Sequence, residues 1–348
     1  MSREAPNRIH LVGSIGLDTV QEVFRTVGGM FGRRLRRIPD GEPGPRRLWV
    51  SFQYPVLRAS PYLRPDPSGE VRPTSGFPKL CLAEGVAAAE VRFGELGYAR
   101  EAQGSYVDFC AARRRGEVMP GVRFQVCLPT PMGVVYAFCT RRDLAAIERA
   151  YEAAMADEAR RICAAIPHED LCLQWDFCHE MIILDGQAQG HFPVVNASLP
   201  EVVARMRRLA DAVPEDVEMG VHLCYGDFGA RHMIEPRDSG MMVEVANALA
   251  DGIGRPLTYL HLPVPIARTD DGYFRPLGAL RLSGRTELYL GLIHAGDGAE
   301  GTRKRIEVAR KFVTGFGIAT ECGIARARKP DLVHRLLELH AETTSEPN

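Results

Sequence analysis

Eight short apolar runs with strand character alternate with longer helical segments along this 348-residue chain. The runs are RIHLVGSIG (8–16), RRLRRIPDGE (33–42), GVRFQVCLPTP (121–131), DLCLQWDF (170–177), VEMGVHLCYG (217–226), LTYLHLPVP (257–265), ELYLGLIHAGD (287–297) and GFGIATECG (315–323). Apolar residues at helical spacing mark 141–166, 199–213, 300–314 and 330–341. Strands that alternate with helices favour a parallel sheet, and eight of them predict an α/β fold of the (β/α)8 TIM barrel type. A doubly wound sheet is the rival arrangement.

The length and balanced charge bound the remaining possibilities. The chain carries 43 basic and 44 acidic residues, so its charge gives no reason to expect nucleic acid or an anionic membrane as partner. We find no signal-peptide h-region and no apolar run long enough to span a bilayer, and the nine cysteines are scattered; both features predict a cytoplasmic protein. We expect a single catalytic barrel domain over 1–348, with its core at about 8–340.

Two segments fit neither pattern well. Residues 43–76 are rich in Pro, Arg and Ser, and we expect an extended loop that caps the barrel mouth. Residues 82–115 are expected to be helical, most clearly over LAEGVAAAEVRFGEL. The arginines of GRRLRRIPDGEPGPRR (32–47) leave two interpretations open, a solvated loop or an anion-binding edge.

Polar residues follow many of the predicted strands, at the end where TIM barrels carry their active sites. In chain order they are Ser14, Asp40, Glu42, Gln174, Asp176, His179, Glu180, His222, Cys224, Asp227, His261, His294, Asp297 and Cys322. His222 and Cys224 lie two residues apart on one strand, so their side chains point to the same side. Thiolate and imidazole are zinc ligands, and Cys322 on another strand would supply a third. A buried cysteine beside a hydrogen-bonded histidine is the alternative interpretation.

The motif HLCYGDF (222–228), followed about 100 residues later by ECGIARAR (321–328), resembles the catalytic barrel of cobalamin-independent methionine synthase. In that family, similar His-x-Cys-Tyr and Asp-Cys-Gly-Leu segments supply zinc ligands. LVGSIG, LQWDFCHE and LGLIHAGD resemble other family motifs in the same order. The resemblance implies a (β/α)8 barrel, shared with uroporphyrinogen decarboxylase, that binds Zn²⁺. Because full methionine synthases carry two barrels, this chain resembles a single-barrel relative.

Two departures from the family concern the site itself. The family uses a glutamate on the sixth strand as a further zinc ligand, but LTYLHLPVP has no glutamate. His261 is the nearest residue able to replace it; a hydrogen-bonded barrel histidine is the alternative. The family's Asp-Glu-Pro helps to bind the amino group of homocysteine, and here Asp176 remains while Phe177 and Cys178 replace Glu-Pro.

The resemblance therefore implies a zinc-dependent methyl or alkyl transferase that acts on a metal-activated thiol, with the thiol and the methyl or alkyl donor as small-molecule partners. We assign His222, Cys224, Cys322 and His261 to the metal, and Asp176, His294 and Asp297 to catalysis, the last two as acids for the leaving group. Substrate binding is assigned to Ser14, Asp40, Glu42, Gln174, His179, Glu180 and Asp227, although Asp227 could instead orient His222.

Two other functions stay open at this point. A lyase or decarboxylase could use the same barrel and bind substrate carboxylates through Arg33, Arg34, Arg36, Arg37, Arg46 and Arg47, without a metal. Relatives of that kind form dimers, so a homodimer is possible. A non-catalytic zinc protein would instead have a closed site with four protein ligands.

Overall fold

The computed structural model describes residues 6–72, 75–189, 197–226, 231–325 and 329–345. Within these ranges the strands are β1 (Arg37–Pro39), β2 (Leu63–Pro65), β3 (Leu80–Leu82), β4 (Arg123–Pro129), β5 (Leu171–Phe177), β6 (Glu218–Leu223), β7 (Tyr259–Pro263), β8 (Glu287–Ile293) and β9 (Gly317–Thr320). The α-helices are α1 (Val20–Phe31), α2 (Tyr54–Ala59), α3 (Tyr98–Arg114), α4 (Pro131–Phe138), α5 (Leu144–Ala165), α6 (His179–Ala188), α7 (Leu199–Ala210), α8 (Gly240–Gly252), α9 (Asp271–Phe274), α10 (Gly298–Ala309) and α11 (Pro330–Thr343). No helix in these ranges is long and apolar enough to cross a bilayer.

Seven of the strands form one curled parallel sheet in the order β1-β4-β5-β6-β7-β8-β9. These seven correspond to the predicted strands 2 to 8, and the predicted alternation of parallel strands with helices is confirmed. β5 is buried at every residue, which explains why its sequence is a nearly continuous apolar run instead of an alternating one. β2 and β3 form a separate antiparallel pair outside this sheet.

The first predicted strand, 8–16, is not a regular strand in the structure. Instead, Ile9 forms single parallel bridges with Leu35, just before β1, and with Ile318 of β9, while Ser14 bridges Gly41. The His10 amide donates to the Ile318 carbonyl at 3.0 Å, and the Ile9 amide donates to the Arg34 carbonyl at 2.9 Å. The segment therefore lies between the two edges of the sheet.

The predicted helix over 82–115 is wrong in its first half. Only α3 is helical there, and most of 83–97 has irregular backbone with a short 3₁₀ turn at Ala88–Glu90. Gly85 and Gly97 both have positive φ, which an α-helix does not allow. The Leu96 and Ala99 amides donate to the buried Glu158 carboxylate of α5, at 2.8 and 2.5 Å. Contacts with α5 therefore outweigh the helical propensity of an Ala- and Glu-rich sequence.

The described parts of the segment 43–76, residues 43–72 and 75–76, are ordered, as expected, but they contain more regular structure than a loop. It holds a 3₁₀ segment over Gly44–Gln53, helix α2 and strand β2. The 3₁₀ segment is broken at Leu48 and Trp49, and Trp49 has φ of +53°. At this break the Trp49 side chain packs against a buried cluster at the carboxyl end of the sheet, formed by Cys178, Ile182, Cys224, Ile234 and Cys322.

Candidate metal centre and adjoining cavities

The pairing of β5, β6 and β7 sets three of the predicted site residues side by side. Asp176 pairs with His222, and His222 pairs with His261. All three lie near the carboxyl ends of their strands and are buried, with exposed fractions of 7, 1 and 0%. A single row across three parallel strands therefore carries one carboxylate and two imidazoles.

Three predicted metal ligands converge at the end of this row. Ligand atoms of His222, Cys224 and Cys322 all lie within 4.8 Å of one another. The Cys224 and Cys322 sulfurs are 3.6 Å apart and are not joined in a disulfide. Two thiolates bound to one zinc at about 2.3 Å in a tetrahedron lie about 3.8 Å apart, so this spacing fits a shared metal. The Gly226 amide donates to the Cys224 sulfur at 3.3 Å, which favours the thiolate form.

His261 lies behind His222 and is not part of the three-residue group. The Nδ1 atoms of the two rings are 2.7 Å apart, and His261 Nε2 lies 3.1 Å from the Thr320 carbonyl oxygen. Burial lowers the pKa of His261 to about 3, so the ring is neutral and has one N–H. Because a carbonyl only accepts, we assign that N–H to Nε2, and His222 Nδ1–H then donates to His261 Nδ1. This assignment leaves the lone pair of His222 on Nε2, the form in which a histidine binds metal.

A cavity opens beside the three ligands. Ser14, Glu42, Asp176 and Cys178 are among the residues that line it. Two glycines in its lining are closely packed against other lining residues. A Cβ at Gly323 would overlap the Ser14 hydroxyl, and a Cβ at Gly13 would lie 3.0 Å from Glu42 Oε1. We call this the cysteine-side cavity.

Asp176 is held in a fixed orientation at the wall of this cavity. Gln174 Nε2 donates to Asp176 Oδ1 at 2.8 Å, and Trp49 Nε1 donates to Asp176 Oδ2 at 3.2 Å. Gln174 is itself fully buried and its Oε1 lies 2.9 Å from both His10 Nε2 and the Tyr259 hydroxyl. Gln174 therefore positions Asp176 and does not line the cavity.

Trp49 is the main site residue that the sequence analysis missed. Besides its bond to Asp176, its indole lies parallel to the His179 ring, with an interplanar angle of 11° and centroids 6.3 Å apart. A non-glycine residue at positive φ is costly, and such strain is concentrated at functional sites. The available signal was composition, because Trp49 is one of only two tryptophans and lies in the segment expected to cap the mouth.

A second cavity also has Trp49 in its wall. Trp49 and Glu42 line both cavities, whereas Asp40, Arg46 and Glu101 line only the second. The Arg46 guanidinium lies 2.8 Å from Asp40 Oδ2, and the Ser105 hydroxyl donates to the same oxygen at 2.7 Å. We call this the acidic cavity.

The other predicted site residues are not brought to either cavity. His294 donates from Nε2 to the Val264 carbonyl at 2.8 Å, and burial lowers its pKa. Both carboxylate oxygens of Asp297 accept from the buried Arg305, at 2.6 and 2.8 Å. Burial acts to raise the pKa of Asp297, but the hydrogen bonds and charge of Arg305 lower it overall. Neither residue is therefore placed to protonate a group bound in the two cavities.

His179 and Glu180 begin α6 instead of lying on a loop, and Asp227 lies outside the described residues. Burial lowers the pKa of His179 to about 4 and raises the pKa of Glu180 to about 7. His179 is therefore neutral at physiological pH, whereas Glu180 is about half protonated near pH 7.

Four of the six clustered arginines are bonded to groups of the fold itself. Arg37 binds Glu218 and Glu287, and Arg46 binds Asp40. Arg34 donates to the Met30 carbonyl, and Arg47 donates to the Leu17 carbonyl. These guanidinium groups are used within the fold, which agrees with the structural interpretation of the segment.

Comparison with known proteins adds evidence on the fold. No protein-family model and no curated protein sequence matches the chain. A solved B12-independent methionine synthase from Shewanella sp. W3-18-1, in complex with selenomethionine, superposes with a TM-score of 0.59 at 14% identity over 97% of both chains. A protein of Listeria monocytogenes described as a vitamin-B12-independent methionine synthase superposes with a TM-score of 0.53 at 13% identity, over 99% of this chain and 100% of that one. At these identities the likeness establishes a shared fold.

Proposed function

We propose that the protein is a zinc-dependent transferase that moves a methyl or alkyl group to the sulfur of a small thiol substrate. The observation that carries the proposal is the convergence of His222, Cys224 and Cys322 at one wall of the cysteine-side cavity. In the same proposal the segment around Ile9–Ser14 acts as the eighth strand of a (β/α)8 barrel, since it bridges both edges of the sheet.

The structural relatives support this proposal. The Shewanella protein is a methionine synthase crystallised with selenomethionine, an analogue of the product of thiol methylation. A ligand of that kind has a thioether or selenoether at one end and an amino acid group at the other. In this chain, the three metal-binding residues and the carboxylates of Glu42 and Asp176 line the same cavity, so one ligand could reach both.

The residues of the site supply distinct parts of the chemistry. Zn²⁺, when bound, would hold the substrate thiol as a nucleophilic thiolate near neutral pH. Three protein ligands are the number typical of catalytic zinc sites, where the fourth position is used by substrate or water. His261 fixes the tautomer of His222, and Asp176, oriented by Gln174 and Trp49, receives a cationic group of the substrate. The Trp49 side chain packs against the buried cluster that contains Cys178, Cys224 and Cys322, and it limits access of water to these residues.

Metal content tests the proposal directly. We expect about one zinc per chain in the wild-type protein by mass spectrometry, and loss of that zinc in Cys322→Ala. Cys178→Ala is the matched control, because Cys178 lines the same cavity but is not in the three-residue group. A folded wild-type protein purified without chelator and free of zinc would refute the proposal. Zinc-loaded protein should then alkylate thiols, and Cys322→Ala should not.

A cytoplasmic location and a homodimer belong to this proposal as expectations. The lyase or decarboxylase alternative relied on the arginine cluster, and the internal pairing of Arg34, Arg37, Arg46 and Arg47 gives it no support.

A further inference from the structure

The acidic cavity combines aromatic walls with an excess of negative charge. Its aromatic residues are Trp49, Phe52, Tyr98 and Phe124, and its charged residues are Asp40, Glu42, Glu101 and Arg46. Its lining holds three carboxylates and one guanidinium, and Arg100, outside the lining, lies 3.7 Å from Glu101, so carboxylates outnumber the nearby guanidiniums by one. Arg46 is already shared between Asp40, at 2.8 Å, and Glu101, at 3.5 Å, so it does not serve as an anion site.

The aromatic side chains lie close to one another. The Phe52 and Tyr98 rings meet edge to face, with centroids 5.2 Å apart and an interplanar angle of 74°. Tyr98 is only 6% exposed, and burial raises the pKa of its hydroxyl well above the usual value, so the side chain stays neutral. The aromatic wall is therefore fixed by packing, and the negative charge of the cavity comes from its carboxylates alone.

These features match one class of ligand. Aromatic faces attract cations, and aromatic side chains recognise quaternary ammonium groups in proteins. Arg46 and Ser105 already occupy lone pairs of Asp40, so its carboxylate contributes charge more than directed hydrogen bonds. A permanently charged alkyl onium group, which has no N–H to donate, suits this combination better than a primary amine does.

We propose that the acidic cavity binds the onium group, sulfonium or quaternary ammonium, of the alkyl donor. The proposal rests on the proposed function, because it names the second substrate of the same site. Trp49 and Glu42 line both cavities, so a donor in the acidic cavity and a thiol in the cysteine-side cavity are neighbours across this shared wall.

The reaction balances without a general acid. The thiolate sulfur attacks the alkyl carbon of the donor, and a new S–C bond forms. The C–S⁺ or C–N⁺ bond breaks, and its electron pair leaves with a neutral thioether or amine. The substrate thiol releases its proton to solvent when it becomes a thiolate. In the transfer step, one negative and one positive reactant then give two neutral products, with no oxidation and no further proton transfer. Such a step would need no acid from His294 or Asp297, which are bonded to Val264 and Arg305.

Calorimetric binding to the purified full-length protein tests the cavity without turnover. The probes are choline and its neutral isostere 3,3-dimethylbutan-1-ol, which has the same shape and no charge. We expect choline to bind roughly tenfold more tightly than the isostere, as cation–π and charge interactions of this size imply. Glu101→Gln should weaken choline binding roughly three- to tenfold and leave the isostere unchanged. Glu300→Gln, an exposed glutamate on α10 paired with Lys304, is the control and should change neither.

A second variant separates charge from shape. Trp49→Leu should weaken choline binding because it removes a ring from the cavity wall, while circular dichroism confirms folding. Equal affinity for the two probes, no binding of choline, or an unchanged affinity in both variants would overturn the proposal. Zinc content and choline binding are measured separately. A protein that contains zinc but does not bind choline therefore refutes the onium inference alone. A zinc-free protein that binds choline refutes the proposed function.

Transfer assays identify the donor type. With zinc-loaded protein and a thiol, trimethylsulfonium and choline are offered separately, and the methylated thiol is detected by mass spectrometry. Product from one probe alone identifies that onium as the donor class. Absence of product from both, in a protein that alkylates the same thiol with another donor, would overturn the proposal.

Discussion

Glu180 is a carboxyl group whose burial affects the stability of the whole fold. Burial raises its pKa to about 7 in the folded protein, against about 4.5 when the chain is unfolded. The folded state therefore binds the proton more tightly, and this contribution to stability is complete below pH 4.5 and lost as the pH rises through 7. Glu180→Gln keeps the shape and removes the ionisation.

We expect Glu180→Gln to match the wild type at pH 4.5 and to exceed its free energy of unfolding by roughly 1–3 kcal/mol at pH 8. Urea denaturation at the two pH values measures the difference. The control is Glu307→Gln, at an exposed position on α10, which should have the same free energy of unfolding as the wild type at both pH values. If the difference in free energy of unfolding between Glu180→Gln and the wild type did not change with pH, the pKa of this carboxyl would be the same in the folded and unfolded states.

Single residues of the candidate site could be predicted to different degrees. His222 and Cys224 were accessible because side chains repeat every second residue in a strand, and Cys322 because parallel strands end at the same edge. The position of His261 behind His222 depends on the orientation of two rings, which a sequence does not encode locally. Trp49 was missed because its role follows from an irregular backbone at positive φ.

At the scale of elements, β6 and β7 depend on one glycine for their packing. Gly220 pairs with Tyr259, and a Cβ at Gly220 would overlap the Tyr259 ring. Tyr259 is fully buried and donates its hydroxyl to Gln174, so the ring cannot move without breaking that bond. We expect Gly220→Ala to lower the free energy of unfolding by roughly 1–3 kcal/mol.

The matched control is Gly104→Ala, which should raise the free energy of unfolding. Gly104 lies on the exposed side of α3, and a Cβ added there would meet no atom within 4 Å, so alanine should fit. Gly104→Ala should raise stability by about 0.5–1 kcal/mol, because alanine favours helix. Thermal and urea unfolding of both variants check the prediction. Equal effects of the two substitutions would contradict the packing argument.

The elements that could be predicted share a strong periodic signal. β4, β5 and β8 are apolar runs buried on both faces, and α5, α7 and α11 have apolar residues at helical spacing. The segment before α3 carries helix-forming residues too, but Val91 packs into the core and the Leu96 amide binds Glu158. The conformation of this segment depends on contacts with residues that are distant in the sequence, and local helix propensity contains no information about such contacts.

On the scale of the whole molecule, an ion cluster ties strands that are not neighbours. Arg37 of β1 lies 2.6 Å from Glu218 of β6 and 2.7 Å from Glu287 of β8, and its side chain is only 4% exposed. These strands are separated in the sheet order, so the cluster spans the interior of the curled sheet at its amino end. Burial acts to raise the pKa of Glu287, but Arg37 lowers it overall.

Arg37→Leu should lower the free energy of unfolding by roughly 1–3 kcal/mol at pH 7, because it removes the buried cation and leaves Glu218 with Arg123, at 3.1 Å, and Glu287 with Arg8, at 3.5 Å. A lowered pKa means that the wild-type contribution is present above pH 4.5 and lost as the pH falls. The difference between variant and wild type should therefore shrink at pH 4. Arg64→Leu, which removes a surface pair at 3.9 Å, should cost less than about 1 kcal/mol. A loss for Arg37→Leu that is the same at pH 4 and pH 7 would argue against the ion cluster.

The wall shared by the two cavities has a consequence for how such a protein diversifies. Trp49 and Glu42 each border both cavities, so a substitution at either position alters the surface of both. Under the proposed function, selectivity for acceptor and for donor would therefore change jointly. Among descendants of this chain, residues 42 and 49 should change together, and laboratory evolution toward a new donor will advance fastest in libraries that randomise both positions at once.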